Sequence, residues 1–195
     1  MRHRLLLWLI CALFCLSLTG CGATQESPHQ PQTQQEAQDG EELPGILSTF
    51  NAQNLEGEAV DQSILSDYPL TMVNVWATYC GPCLEEMPDL GQLSQEYEGE
   101  GLQIIGLLSD ALDSDGSVNQ DQVDTARQIV EATGASYPHL VPREDLFGLL
   151  GQITAVPTTF FVDSQGNQVG SAYLGAMEKE DWAQIIDQML EEVER

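Results

Sequence analysis

The chain has 195 residues, enough for one domain of ordinary size with short appendages. Its 31 acidic residues against 6 basic ones give a formal charge of −25, which all but excludes binding to nucleic acid or to anionic lipid through a basic patch. A hydrophobic content of 42% is sufficient for a packed core and excludes disorder throughout the chain.

The N-terminus combines a short basic start, an apolar stretch and a cysteine. Two arginines precede the apolar residues 5–18, a run too short to span a bilayer comfortably as a helix. The segment 18–21, Leu-Thr-Gly-Cys, resembles the bacterial lipobox, in which the cysteine is diacylated and becomes the mature N-terminus. We therefore predict a lipoprotein signal peptide over residues 1–20 and lipidation at Cys21. A plain secretory leader and a retained transmembrane anchor are the alternatives.

The next segment, residues 22–43, is rich in Gln, Glu, Pro and Thr and contains no aromatic residue. Such a composition cannot bury enough apolar area to offset the entropy of ordering it, so it predicts a flexible tether. Coil statistics give about 20 residues a reach of roughly 25 Å. Residues 21–43 are therefore predicted as the lipidated cysteine with its tether, and residues 44–195 as one folded domain.

The folded part alternates strand-like and helix-like segments. Weak strand signals at residues 46–50 and 59–64, with Gly57 as a turn between them, predict an N-terminal β-hairpin. Apolar runs and helical spacing then predict, in chain order, a strand at 70–76, a helix from Pro82 to about Gly99, a strand at 102–108, an acidic loop at 109–120, a helix ending at Gly134, a short helix around 144–150, a strand at 159–162, a turn at 164–167 into residues 168–173, and a last helix at 182–193. This order predicts an α/β fold of three layers around a mixed central sheet.

Two of the five cysteines, Cys80 and Cys83, lie in this folded part. A strand ends and a helix begins at the first of them, where unpaired N–H groups and the helix dipole stabilise a thiolate. Cys83 is one turn further on, close enough to close a disulfide, and is expected to be the more buried. A structural disulfide would gain little entropy from so short a loop, and half a zinc site would lack its other ligands. We therefore predict redox chemistry here and no metal site.

The segment 76–88, WATYCGPCLEEMP, resembles the active-site segment of the TlpA/ResA-like branch of the thioredoxin superfamily. The resemblance runs from about residue 46 to the C-terminus. It implies a thioredoxin fold carrying the hairpin as an N-terminal extension, with the Cys80–Cys83 disulfide as the redox group and no other cofactor. Residues 156–159 resemble the family's cis-proline loop, where the residue before the proline offers its backbone to an extended peptide. Residues 174–176 resemble the glycine turn beside that groove. The substrate contacts implied are Trp76, Gly81, Pro82, Val156, Pro157 and Gly175.

Two positions near the cysteines bear on proton transfer. Thioredoxin has a buried Asp six residues before its first Cys, where this chain has Asn74, which cannot take a proton. ResA-like proteins have a Glu near the site three residues after the second Cys, and Glu86 matches it. We therefore predict Glu86 as the third catalytic residue. The alternative is a solvated glutamate early in a helix, as we expect for Glu85.

The direction of the redox reaction follows from the charges around the cysteines. Apart from the two leader arginines, no Lys or Arg precedes Arg127, so nothing cationic in the nearby sequence stabilises a Cys80 thiolate strongly. With Gly-Pro between the cysteines, as in thioredoxin, we expect a low potential and a reductase. A thiol oxidase of the same fold and a non-catalytic binding lipoprotein are the alternatives.

The resemblance also implies partners and a location. It implies a membrane electron donor of the CcdA/DsbD type, and protein disulfide substrates on the pathway of methionine sulfoxide reductase or of cytochrome c maturation. We expect a monomer outside the cytoplasm, lipid-anchored to the bacterial cell membrane, or to the outer membrane where there is one.

Two further sequence patterns bear on other functions. Asp113, Asp115 and Gly116 suggest a calcium loop, but an EF-hand in that register needs acids where the chain has Ala111 and Gln122, so we predict an acidic insertion. The peroxiredoxin signature places a Thr three residues before the reactive Cys, where this chain has an Ala, so peroxidase activity is not expected.

Overall fold

The computed structural model describes residues 45–195, and the signal-peptide, lipidation and tether predictions for residues 1–43 lie outside the described residues. The strands of the described part are β1 (Asn51–Asn54), β2 (Ala59–Asp61), β3 (Leu70–Trp76), β4 (Leu102–Leu108), β5 (His139–Pro142), β6 (Thr158–Asp163) and β7 (Gln168–Leu174). Its α-helices are α1 (Gly81–Glu96), α2 (Gln120–Thr133), α3 (Phe147–Leu150) and α4 (Lys179–Val193). Short 3₁₀ turns cover Gln62–Leu65 and Glu144–Leu146.

The strands form one mixed sheet in the order β2-β1-β5-β4-β3-β6-β7. The central strands β3 and β4 are parallel, and β6 and β7 continue the sheet antiparallel on the β3 side. On the other side β5 is parallel to β4, and the hairpin of β1 and β2 extends the sheet beyond it. This architecture confirms the predicted α/β thioredoxin fold with a hairpin extension.

Alternation along the strands divides the core into two halves. On one face, Met72, Ile104 and Phe161 pack under α1, α2 and α4. On the other face, Val73, Ile105 and the neighbouring strand residues pack under the chain from residue 47 to residue 65 and under α3. The three long helices therefore share one face and α3 lies on the other, so helices pack on both faces of the sheet as the sequence predicts.

Local signals explain where the helices begin and end. The Asn119 side chain accepts a hydrogen bond from the N–H of Gln122 at the start of α2, and Gly134 ends that helix with a positive φ of 70°. A proline occupies the first turn of α1, where its missing N–H is not needed. No helix between residues 45 and 195 is both long enough and apolar enough to cross a bilayer.

The sequence prediction needs correction at two strands, of which one is misplaced and one is missed. The first strand of the hairpin is Asn51–Asn54 rather than residues 46–50, which form a turn fastened by a hydrogen bond from the Leu47 N–H to the Gly166 carbonyl. The strand β5 was not predicted, because it is four residues long and has Pro138 before it and Pro142 at its end. The short β5 connects the hairpin to β4 and completes the sheet.

Candidate active site

Cys80 and Cys83 form a disulfide at the N-terminus of α1. Cys80 is the residue that caps the helix, and its Sγ accepts a hydrogen bond of 3.2 Å from the N–H of Cys83. The Cys80 residue is 6% exposed and Cys83 is 0% exposed. This confirms the predicted order of burial, and it leaves Cys80 as the sulfur that an outside partner can reach.

The chain enters the disulfide from the end of β3. The Trp76 carbonyl accepts hydrogen bonds from the N–H and the Oγ of Ser109, at 2.8 and 2.9 Å, and the Cys80 N–H donates to the Ala77 carbonyl. The Trp76 side chain has no exposed surface, and its ring stands edge-on to His139 with 5.4 Å between centroids. The indole therefore packs in the core cluster that also contains the two cysteines, and a substrate contact of Trp76 stays a prediction.

The predicted groove residues lie together at this end of the sheet. The Val156–Pro157 peptide bond is cis, as the resemblance implied, and the Pro157 carbonyl accepts a 2.9 Å hydrogen bond from the Gly175 N–H. Gly175 has a positive φ of 92°, which favours glycine. Thr158, the first residue of β6, pairs with Val75 of β3, so the cis-proline loop lies beside the chain that leads to Cys80.

Two large apolar side chains that precede predicted site residues in the chain are exposed. Tyr79 is 77% exposed directly before Cys80, and Leu174 is 64% exposed directly before Gly175. Gly81 and Pro82 are also exposed, at the first turn of α1. An exposed aromatic side chain next to a reachable sulfur suits contact with another polypeptide.

Glu86 is 3% exposed and lies one helical turn beyond Cys83. Its Oε1 accepts a 2.9 Å hydrogen bond from Nδ2 of Asn74, and its Oε2 accepts bonds of 3.3 Å from the Met177 N–H and from Nε1 of Trp182. Burial raises the pKa of the Glu86 carboxyl, while the three hydrogen bonds act in the opposite direction. Glu86 is therefore not the solvated helix residue of the alternative interpretation.

A row of residues crosses the sheet beneath α1 at the level of Asn74. In the strand register Asn74 pairs with Gly106 on one side and with Thr159 on the other, and Gly106 pairs with His139. Asn74 Nδ2 also donates to Thr159 Oγ1 at 3.0 Å, so one amide connects Glu86 to β6. In the sequence, the only indication of these hydrogen bonds is the polar side chain of Asn74 inside an otherwise apolar strand.

His139 is a buried residue of this row that sequence reasoning left without a role. Its Nε2 lies 2.9 Å from the Ala135 carbonyl, an acceptor, so Nε2 carries the proton in the neutral ring. Burial lowers the pKa of His139 to about 4. A Cβ at Gly106 would lie 2.2 Å from Nδ1 of His139, so the absence of a side chain at position 106 makes room for the imidazole.

Between residues 45 and 195 no group of three or more His, Cys, Asp or Glu side chains is arranged to hold a metal ion. The redox group that the structure shows is the disulfide itself.

Known proteins resemble this chain in both sequence and structure. The "Thiol-disulfide oxidoreductase ResA" of Halalkalibacterium halodurans is 27% identical over 146 residues, which cover 73% of this chain and 72% of that protein. The "Thiol:disulfide interchange protein DsbE" of Vibrio cholerae is 30% identical over 140 residues, covering 70% of this chain and 66% of that protein. A solved thiol:disulfide interchange protein of the thioredoxin family, from Chlorobium tepidum, aligns with a TM-score of 0.60 at 24% identity, over 75% of this chain and 97% of that one.

A protein-family model also matches the chain. The model described as "AhpC/TSA family" matches residues 46–168, a range that contains the hairpin, the disulfide and the cis-proline loop. The chain therefore belongs to the AhpC/TSA family, and it is a thiol–disulfide oxidoreductase of the thioredoxin-like type.

Proposed function

We propose that this protein reduces disulfides of other proteins outside the cytoplasm while a lipid on Cys21 tethers it to a membrane. The observation that carries the redox part is the disulfide at the start of α1, with one reachable sulfur, beside a cis-proline loop. The names of the relatives, thiol–disulfide oxidoreductase and thiol:disulfide interchange protein, support the same chemistry.

The reaction proceeds by two thiol–disulfide exchanges. The reduced Cys80 attacks one sulfur of the substrate disulfide as a thiolate, forming a Cys80–substrate bond while the other substrate sulfur leaves as a thiolate. Cys83 then attacks the Cys80 sulfur, which re-forms the internal disulfide and releases the second substrate sulfur. The substrate gains two electrons and the protein loses two, so each turnover requires re-reduction by a donor.

Glu86 is proposed to accept the proton of Cys83 in the second step. Residues three positions apart on a helix lie on the same side, so the spacing allows the Glu86 carboxyl to approach the Cys83 sulfur. A raised carboxyl pKa lies nearer to that of a thiol, which makes proton transfer between the two groups easier. Asn74, Met177 and Trp182 hold the ionised carboxylate in place through their N–H groups.

The substrate is proposed to lie as an extended peptide across the cis-proline loop. The backbone of Val156 would pair with it, while Gly81, Pro82, Pro157 and Gly175 would line its path. The exposed side chains of Tyr79 and Leu174 supply apolar surface at the two sides of this path.

The charges of the described part favour a reductase over an oxidase. Each of its four basic side chains bonds elsewhere: Arg127 to Asp124 and to the Leu55 carbonyl, Arg143 to Gln53, Lys179 to Gln92 and Glu96, and Arg195 to the Glu191 carbonyl. A strongly oxidising pair needs a heavily stabilised thiolate, and these cations are engaged in other contacts.

The redox potential of the cysteine pair tests whether the protein acts as a reductase. We expect the Cys80–Cys83 couple to lie near the thioredoxin value of about −270 mV rather than near the oxidant value of about −120 mV. Equilibration of the full chain with glutathione at fixed ratios measures it, with Cys83→Ser as the control that cannot form the internal disulfide. A potential above about −180 mV would assign the protein as a thiol oxidase.

The partners follow from the need for re-reduction outside the cytoplasm. We propose a membrane donor of the CcdA/DsbD type, and substrates on the pathway of extracytoplasmic methionine sulfoxide reductase or of cytochrome c maturation. The protein is proposed to act as a monomer.

The lipid anchor is tested by replacing Cys21 with Ser. We expect the variant to leave the membrane fraction or to remain unprocessed, because the acylated sulfur is lost. Membrane fractionation together with the mass of the mature N-terminus measures both effects. Fractionation and cleavage like those of the wild type would contradict lipidation at Cys21.

A further inference from the structure

The acidic loop between β4 and α2 is an ordered element with its own hydrogen bonds. Leu112 and Val118 form an antiparallel bridge, and the Asp113 N–H donates to the Ser117 carbonyl at 2.8 Å. The exposed carboxylate of Asp113 accepts from Nδ2 of Asn119, and that of Asp115 accepts from Ser117. Both carboxylates therefore stabilise the loop itself.

Asp110, the first acidic residue of this loop, bonds outside the loop to the chain that leads to Cys80. Its Oδ2 accepts hydrogen bonds from the N–H of Thr78 at 3.0 Å, from Oγ1 of Thr78 at 2.6 Å and from Nε2 of Gln122 at 3.1 Å. Its Oδ1 is buried and has no hydrogen-bond partner among residues 45–195. One carboxylate thus fastens the segment before the nucleophile to the first turn of α2.

This contact holds the negative charge of Asp110 against Thr78, which lies two residues before Cys80 in the chain. A surface carboxylate such as Glu85 can turn into solvent, but Asp110 is held by three donors, and its second oxygen is buried without a compensating bond. A nearby charge of the same sign disfavours a thiolate. Because the thiolate belongs to the reduced form, this charge disfavours the reduced form and lowers the redox potential.

We infer that Asp110 is a positioning residue for Cys80, which holds the turn at 77–79 through Thr78 and whose charge keeps the cysteine pair reducing. The inference deepens the proposed function and rests on redox activity of the Cys80–Cys83 pair. It also gives the acidic loop a role in tuning the active site.

The test compares Asp110→Asn with Asp113→Asn in the full chain. Both changes remove one negative charge from the same loop with nearly the same shape, but only Asp110 contacts Thr78. We measure alkylation of Cys80 against pH by peptide mass spectrometry, and the equilibrium of the pair with glutathione. For Asp110→Asn we expect the alkylation midpoint to fall by about half a pH unit, so that the thiolate fraction below the midpoint rises about threefold.

The equilibrium with glutathione should respond in the same direction. For Asp110→Asn we expect a shift of about threefold toward the reduced dithiol, or about 15 mV at 29.6 mV per tenfold change. Asp113→Asn should leave both readouts as in the wild type. Equal shifts in the two variants, or no shift in Asp110→Asn, would overturn the inference.

Thr78→Val tests the positioning part separately, because it removes the hydroxyl bond and keeps the charge of Asp110. We expect its alkylation midpoint to stay unchanged while kcat/KM for disulfide reduction falls about threefold. A wild-type kcat/KM would overturn the positioning role, even where Asp110→Asn does not fold. A potential above about −180 mV in the wild type would instead contradict the proposed reductase activity. The differences between the variants would still decide the role of Asp110.

Discussion

Replacing Cys80 with Ser is expected to lower disulfide reduction roughly a thousandfold or more, because a hydroxyl is a far weaker nucleophile than a thiolate. The second sulfur cannot take over the attack, since Cys83 has no exposed surface. Turnover is measured by reduction of insulin disulfides with dithiothreitol as the electron donor.

Cys83→Ser is the matched variant for this experiment. It retains the reachable sulfur, so it should form the mixed disulfide with substrate and then stop, and the trapped complex can be counted by mass. Equal turnover in the wild type and Cys80→Ser would mean that the protein acts as a non-catalytic binding lipoprotein.

Replacing Glu86 with Gln is expected to slow the resolution of the mixed disulfide about tenfold, because the neutral amide cannot accept the Cys83 proton. Loss of the negative charge should also move the pH midpoint of Cys80 alkylation down by a fraction of a unit. Decay of the transient mixed disulfide, followed by acid quenching in proteins that retain Cys83, measures the first effect, and alkylation against pH measures the second. Glu85→Gln, one residue earlier and exposed, is the matched control and should behave as the wild type.

The same substitution should change how stability depends on pH. Because burial raises the Glu86 pKa above its ordinary 4.5, the folded state holds this proton more tightly than the unfolded state. The stabilisation from the protonated carboxyl is therefore full below about pH 4.5 and is lost as the pH rises through the raised pKa. Relative to the wild type, Glu86→Gln should gain stability as the pH rises through this range.

The contribution of His139 to stability changes with pH in the opposite direction. The wild type and Glu86→Gln must therefore be compared with each other. Its pKa is about 4 in the folded state against 6.5 ordinarily, so its contribution is lost as the pH falls from 6.5 to 4. Both proteins contain His139, and the difference between their unfolding curves isolates Glu86. Identical pH dependence, resolution rates and alkylation curves would show that Glu86 has no part in proton transfer.

The sequence was sufficient for those parts of the fold whose signal is local. The strands at residues 70–76 and 102–108 were predicted with the bounds that the structure has, because buried central strands are continuous apolar runs. The helix start at Cys80 and the turn at residues 164–167 likewise follow from residues next to each other in the chain. Local chemistry of this kind was enough to locate the disulfide.

Contacts between distant residues were beyond this reasoning. The bond between Asp110 and Thr78 joins residues 32 positions apart, and that between Glu86 and Trp182 joins residues 96 apart. The burial of Trp76 depends on His139, whose position requires the unpredicted strand β5 and the missing side chain at Gly106. Each of these features exists only once separate strands have been brought together, so no periodicity in the sequence reports it.

The chain enters the described part far from the active site. Leu47 is fastened to the Gly166 turn after β6, whereas Pro157 and the disulfide lie at the opposite end of the strands, about 20 Å away along six residues. A label or fusion partner attached on the N-terminal side of Leu47 would therefore join the domain at the end that is remote from Cys80 and the cis-proline loop.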